Sequence, residues 1–164
     1  MVTMGKQKTS KGMLQLEGHA TLTVTDPKTG KVIKRITTHN LIVSVGKYYL
    51  GDMLIDKDAG HDTGLTYTAI GTDNTAPVIA DTTLGSEQNR KQITSRTRNA
   101  KEITLSTFFT AAESTYNIKE AGIFGHSTAT GSADSGKLFA HWLVSYDNSG
   151  GNYDMTFDYV LTIG

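Results

Sequence analysis

Cysteine is absent from this sequence. That excludes a disulfide framework and a thiolate metal site, and it fits folding in a reducing cytoplasm. An excess of charge is also missing: sixteen Lys and Arg balance sixteen Asp and Glu, and the pI is about 7.0. Nucleic-acid and membrane-surface binders normally carry a basic excess, so neither partner is expected. Solubility is then not secured by self-repulsion, which suits a protein that works inside an assembly. Apolar runs are short, far below the ~20 residues that span a bilayer. The opening MVTMGKQKTSKG has lysines but no apolar stretch behind them, so it does not read as a secretory signal. Nucleotide-binding glycine loops, a GxSxG elbow and HExxH spacing are all missing.

Proline is scarce as well, with two residues, whereas glycine reaches seventeen. Threonine is abundant. Threonine is β-branched and favours strands; glycine supplies turns. The length of 164 residues is that of one domain, able to bury roughly 70% of the surface its unfolded chain exposes. The composition points to an all-β domain with short connections.

Residues 1–12 read as an extended polar arm, with Met4, Lys6, Lys8 and Lys11 able to reach a neighbouring subunit. Extended, twelve residues span roughly 40 Å. A single domain is expected over 13–164. Met13–Thr25 alternates apolar and polar residues at Leu14, Leu16, Ala20, Leu22 and Val24, the period of a half-buried strand. Gly18 suggests a bulge. Asp26-Pro27-Lys28-Thr29-Gly30 has the residues of a tight turn, and Lys31–Val43 reads as the returning strand. Gly46–Ile55 places Tyr49, Leu50, Met53 and Leu54 on one helical face. Leu65–Gly71 alternates again. A loop around Pro77 follows, with a turn over Ser86–Asn89 and a polar edge strand over Lys91–Asn99. Lys101–Ala112 returns with Ile103, Leu105, Thr107 and Phe109 on one side. Asn117–Phe124 is a short strand, and Gly125–Gly136 a flexible excursion. Lys137–Ser145 and Tyr153–Ile163 are strands joined by DNSGGN as a loose hairpin. The sum is about eight mainly antiparallel strands and one short helix near 46–55, a β-sandwich or flattened barrel.

The residues that could carry chemistry are few. Five histidines are scattered, although His39 and His141 could meet in space. Asp56-Lys57-Asp58-Ala59-Gly60-His61-Asp62 has a passing likeness to a calcium loop, but it lacks the sixth-position glycine and the twelfth-position glutamate. No metal or cofactor is expected. Glu87 and Glu120 could serve as an acid–base pair. Each sits at a strand boundary, however, beside Arg90 and Lys119 respectively, and reads better as part of a buried or half-buried pair, Glu87 with Arg90 or Glu120 with an arginine, that locks a corner of the fold. Tyr48, Trp142, Tyr146 and Tyr153 could form a stacking platform for a host glycan.

Three segments carry a resemblance. The first is Asp26 to Ile33 (DPKTGKVI), followed by HNLIV from His39 to Val43 and then by Gly46. The second runs from Ala69-Ile70-Gly71-Thr72 through Asp81-Thr82-Thr83-Leu84-Gly85-Ser86-Glu87 to Arg90. The third is NIKEAGIF, from Asn117 to Phe124. Together, over roughly residues 26–125, they resemble small structural proteins of tailed bacteriophages, of the tail-fibre, baseplate and collar type. The resemblance implies a non-enzymatic virion protein, made in the bacterial cytoplasm, that forms homo-oligomers and contacts other virion proteins. A capsid decoration protein is the neighbouring alternative, and a host-surface carbohydrate-binding module is the alternative from another class. Within the shared block, Gly71, Leu84, Glu87, Arg90, Glu120, Gly122 and Phe124 are expected to determine the fold. Gly71 and Gly122 would allow a positive φ or close backbone approach. Leu84 and Phe124 would anchor loop ends, and Glu87, Arg90 and Glu120 would form a polar clamp.

Overall fold

The computed structural model describes residues 14–57 and 60–164. The expected arm, with Met4, Lys6, Lys8 and Lys11, lies outside the described residues, as does part of the calcium-like loop. Among the described residues, ten strands form two five-stranded sheets, an all-β sandwich with one α-helix. In chain order the strands are β1 (Leu16–Thr25), β2 (Val32–His39), β3 (Leu41–Ile42), β4 (Leu65–Gly71), β5 (Glu87–Gln92), β6 (Ser95–Asn99), β7 (Glu102–Phe109), β8 (Asn117–Gly125), β9 (Lys137–Asp147) and β10 (Asp154–Ile163). Helix α1 spans Ser44–Leu54, and a 3-10 turn spans Ala111–Ser114. One sheet has the order β2-β1-β10-β7-β6; the other has β3-β9-β8-β4-β5. Every pairing is antiparallel.

The β1–β2 hairpin forms as its turn residues require. Asp26 Oδ1 accepts hydrogen bonds from the amides of Lys28 and Thr29, and Gly30 takes a φ of 68°. Gly18 is not a bulge, because the pairing of β1 with β10 runs through it without a shift. A side chain there would instead collide with Asn40 and the Tyr159 hydroxyl. The irregularity in this hairpin falls at Val24/Thr25.

Three expected elements are divided differently. The return strand breaks after His39, and Leu41–Ile42 crosses to the other sheet to pair with β9. The polar stretch after Arg90 is two strands, not one. Residues Glu87–Gln92, in part expected as a turn, pair with β4, and Ser95–Asn99 pairs with β7 in the opposite sheet. Between them Ile93 turns inward and is buried. Burying this one apolar side chain within a polar run switches the chain between sheets. The DNSGGN segment likewise carries the chain from β9 to β10 across the sandwich and does not close a hairpin. Buried Asn148 holds that crossing, donating to the carbonyls of Ser114 and Tyr153 and accepting from the Tyr153 amide.

The main core lies between the sheets. Leu22, Val24, Phe157 and Tyr159 of one sheet meet Ile70, Ile123, Trp142 and Val144 of the other. Thr68 and Thr107 hydrogen-bond to each other at 2.7 Å within the buried region. A second, smaller core is formed by Val43, Ala69, Leu84, Phe124 and Leu138. Its strand residues alternate with those of the main core, so it covers the other face of the β4-β8-β9 sheet. That sheet is therefore buried on both sides, and β8 is buried at every position from Glu120 to Gly125. On α1, Tyr49 is buried as expected, but Leu54 is exposed, so the apolar face is narrower than its spacing suggests.

Candidate functional site

The residues singled out in the sequence converge on that outer face. Gly71 of β4 is flanked by Glu87 of β5 and Glu120 of β8 as register partners. The loop 72–86 leaves β4 at Gly71 and folds back over the sheet. Its far end is pinned by Leu84, whose Cδ2 would lie 2.9 Å from a Cβ built on Gly122. Leu138 Cδ1 would be equally close, so Gly122 exists to let two leucines meet the backbone of β8. Neither Gly71 nor Gly122 has a positive φ; close approach is the reason for both. A Cβ on Gly71 would sit 2.6 Å from the Ser86 carbonyl oxygen and against the Glu120 carboxylate. Gly71→Ala is accordingly expected to cost about 1–3 kcal/mol through overpacking, read as a lower urea midpoint with an unchanged slope.

Glu120 is 1% exposed, and all its acceptor sites are filled. Oε1 accepts from the amides of Ser86 at 2.7 Å and Asp73 at 3.3 Å. Oε2 accepts from the Gly85 amide at 2.9 Å and lies 2.9 Å from His141 Nε2. His141 Nδ1 lies 2.9 Å from Asp81 Oδ2, which also accepts from the Val78 amide. The imidazole is thus held between a carboxylate on the sheet and a carboxylate on the loop. For Glu120, burial opposes the charge, but hydrogen bonds from His141 and the three amides outweigh it and lower the pKa. For His141, burial also opposes the charge, but the bonds to Glu120 and Asp81 prevail and raise the pKa. The result is an ion triad that fastens the loop to the sheet.

Glu87 and Arg90 form a second, separate fastening. Arg90 Nε and Nη2 bind the two Glu87 oxygens at 2.5 and 2.7 Å, a bidentate pair with both side chains buried. Arg90 Nη1 donates to the Ser135 carbonyl at 2.7 Å, and the guanidinium lies 4.3 Å from the Phe124 ring centre. The segment 125–136, expected as a flexible excursion, is therefore tied down through Ser135 and through the Asp134 amide on Glu87. The one clamp expected from Glu87, Arg90 and Glu120 is two clamps on two loops. The partner of Glu120 is His141 and not a basic residue beside it in sequence; Lys119 reaches Ser145 instead.

Other expected constellations dissolve. His39 stands opposite His19 on β1 and lines the same surface cleft as His141, but both ring nitrogens of His141 are already engaged by Glu120 and Asp81. Glu87 and Glu120 are held by different partners, and a carboxylate with four donors in place has no free lone pair with which to take a substrate proton. Trp142 is buried and stacked on Tyr159, and the rings of Tyr146 and Tyr153 are nearly perpendicular, so these side chains form no flat platform. Among the described residues, no group of three or more His, Asp or Glu is arranged to hold a metal ion. No helix among them is long and apolar enough to cross a membrane. What sequence reasoning missed is that His141 and Asp81 belong to the clamp. The available signal was a single ionisable residue inside the apolar run LFAHWLV, which a buried site must pair.

No family model, curated protein or solved structure matches the chain.

Proposed function

We propose that this chain is a non-enzymatic structural component of a tailed-phage virion, at a tail, baseplate, collar or fibre-attachment position, acting as an oligomer. The observation that carries the reading is where the resembling segments meet. Gly71, Leu84, Glu87 and Arg90 of the second segment pack against Glu120, Gly122 and Phe124 of the third. Their polar atoms are directed at one another and at loop backbone, so the shared pattern serves a fixed shape more than a reaction. A sandwich with two loops fastened to one face is a rigid block suited to repeated contacts. Its balanced charge imposes no long-range repulsion between copies.

Copy number in purified particles tests the reading, measured by quantitative mass spectrometry against the major capsid protein. A ratio tens of times below the capsid protein is expected. A ratio near one would make the chain a decoration protein of the shell. Absence from particles would overturn the virion reading. The arm has its own test: a chain lacking residues 1–11 is expected to fold but to enter particles poorly, and normal incorporation would remove the arm's role.

A further inference from the structure

Two of the most exposed large apolar side chains sit next to each other at the end of α1. Leu54 is 76% exposed and Ile55, the next residue, 72%. They project where α1 stops. Beside them runs an apolar groove lined by Leu50, Met53, Leu65, Ile103 and Ile163, with Arg96 at its rim. Arg96 Nε donates to the Leu65 carbonyl at 3.0 Å, which fixes the guanidinium there. Asp56, exposed, follows Ile55 directly. Each molecule therefore carries an apolar projection with an acid beside it and an apolar recess with a base beside it.

We propose that this end of the sandwich is a self-association surface, in which Leu54 and Ile55 of one copy enter the groove of a second copy and Asp56 faces its Arg96. The occupant is a second copy because projection and recess match in polarity, because the rim charges are complementary, and because the net charge is zero. The proposal rests on the oligomeric reading above and names the contact by which it would be built. The groove and the projection lie on the same molecule, so the contact can be reciprocal in a two-fold dimer or repeat around a ring.

Sedimentation velocity of the full chain over a wide concentration range tests it. The wild type is expected to associate, and Leu54→Glu or Ile55→Glu to weaken association at least ten-fold without changing the circular dichroism spectrum. Arg96→Glu is expected to weaken it too, with recovery on adding Asp56→Arg. A wild type that stays monomeric throughout overturns the proposal. So does association that survives both glutamate substitutions but is lost with Ile33→Glu on the β2 edge. Association lost only when residues 1–12 are removed also overturns it, because that segment would then join the copies. The outcome is separable from that of the particle experiment. A chain absent from particles that still associates through Leu54 and Ile55 keeps this surface and loses the virion reading. A virion chain that is monomeric in solution does the reverse.

Discussion

Glu120→Ala is expected to lower the melting temperature by about 10 °C. The substitution leaves the amides of Asp73, Gly85 and Ser86 and the His141 imidazole without their common acceptor. Removing one member of a buried ion pair costs about 3–5 kcal/mol, because the remaining charge and donors stay buried. At this chain length about 1 kcal/mol corresponds to roughly 2–4 °C. Glu120→Gln restores the volume but not the chemistry. One of its terminal atoms is a donor, and it would face donors. It is therefore expected to recover less than half of the loss. Equal melting of both variants and the wild type would show that the loop does not depend on this carboxylate.

The same triad sets a pH dependence. Glu120 is depressed below its ordinary value of 4.5, so its contribution is complete above that pH and is lost as the pH falls through the folded value. His141 is raised above its ordinary value of 6.5, so its contribution is complete below that pH and is lost as the pH rises through the folded value. Both are complete between 4.5 and 6.5. The urea midpoint is expected to peak in that mildly acidic window. In His141→Gln the alkaline decline should flatten while the acidic one persists.

Arg90→Lys is the second large effect, and it keeps the charge. A lysine ammonium cannot form the two parallel bonds to Glu87 while also reaching the Ser135 carbonyl, and it loses the planar contact with Phe124. Glu87 stays buried and half-satisfied. A loss of about 3 kcal/mol is expected, with Glu87→Ala similar. The double variant Glu87→Ala, Arg90→Ala should cost less than the sum of the single changes, because neither charge is then left alone. Hydrogen exchange should quicken across residues 126–136 in Arg90→Lys and across 72–86 in Glu120→Ala. If both variants loosened the same loop, the two clamps would be one unit.

The clearest local signal is the first hairpin. The β1–β2 hairpin follows from an alternating run, a turn with aspartate, proline and glycine, and a second run, all within hydrogen-bonding reach of one another. The helix after Val43 follows in the same way, and the polar edge strand expected over Lys91–Asn99 is present only over Ser95–Asn99. Gly71, Leu84, Glu87, Arg90, Glu120, Gly122 and Phe124 are singled out through the resemblance, and the structure brings them together on the outer face of the β4-β8-β9 sheet and its loops.

Their partners were not visible. Alternation tells which residues share a face only while one face is wet. In β8 both faces are buried, the period disappears, and the run NIKEAGIF looks merely irregular. A strand's sequence also does not say which sheet it joins: the switch at Ile93 and the crossing at DNSGGN depend on burial against distant elements. The pairing of Glu120 with His141 joins residues adjacent only across β8 and β9, and Asp81 reaches them only because Leu84 seats its loop. From the sequence came an all-β chain, the β1–β2 turn and the need for polar anchors at Glu120 and Arg90. Tertiary structure alone decided what those anchors hold, because buried charges are satisfied by whatever the packing of distant strands brings within 3 Å.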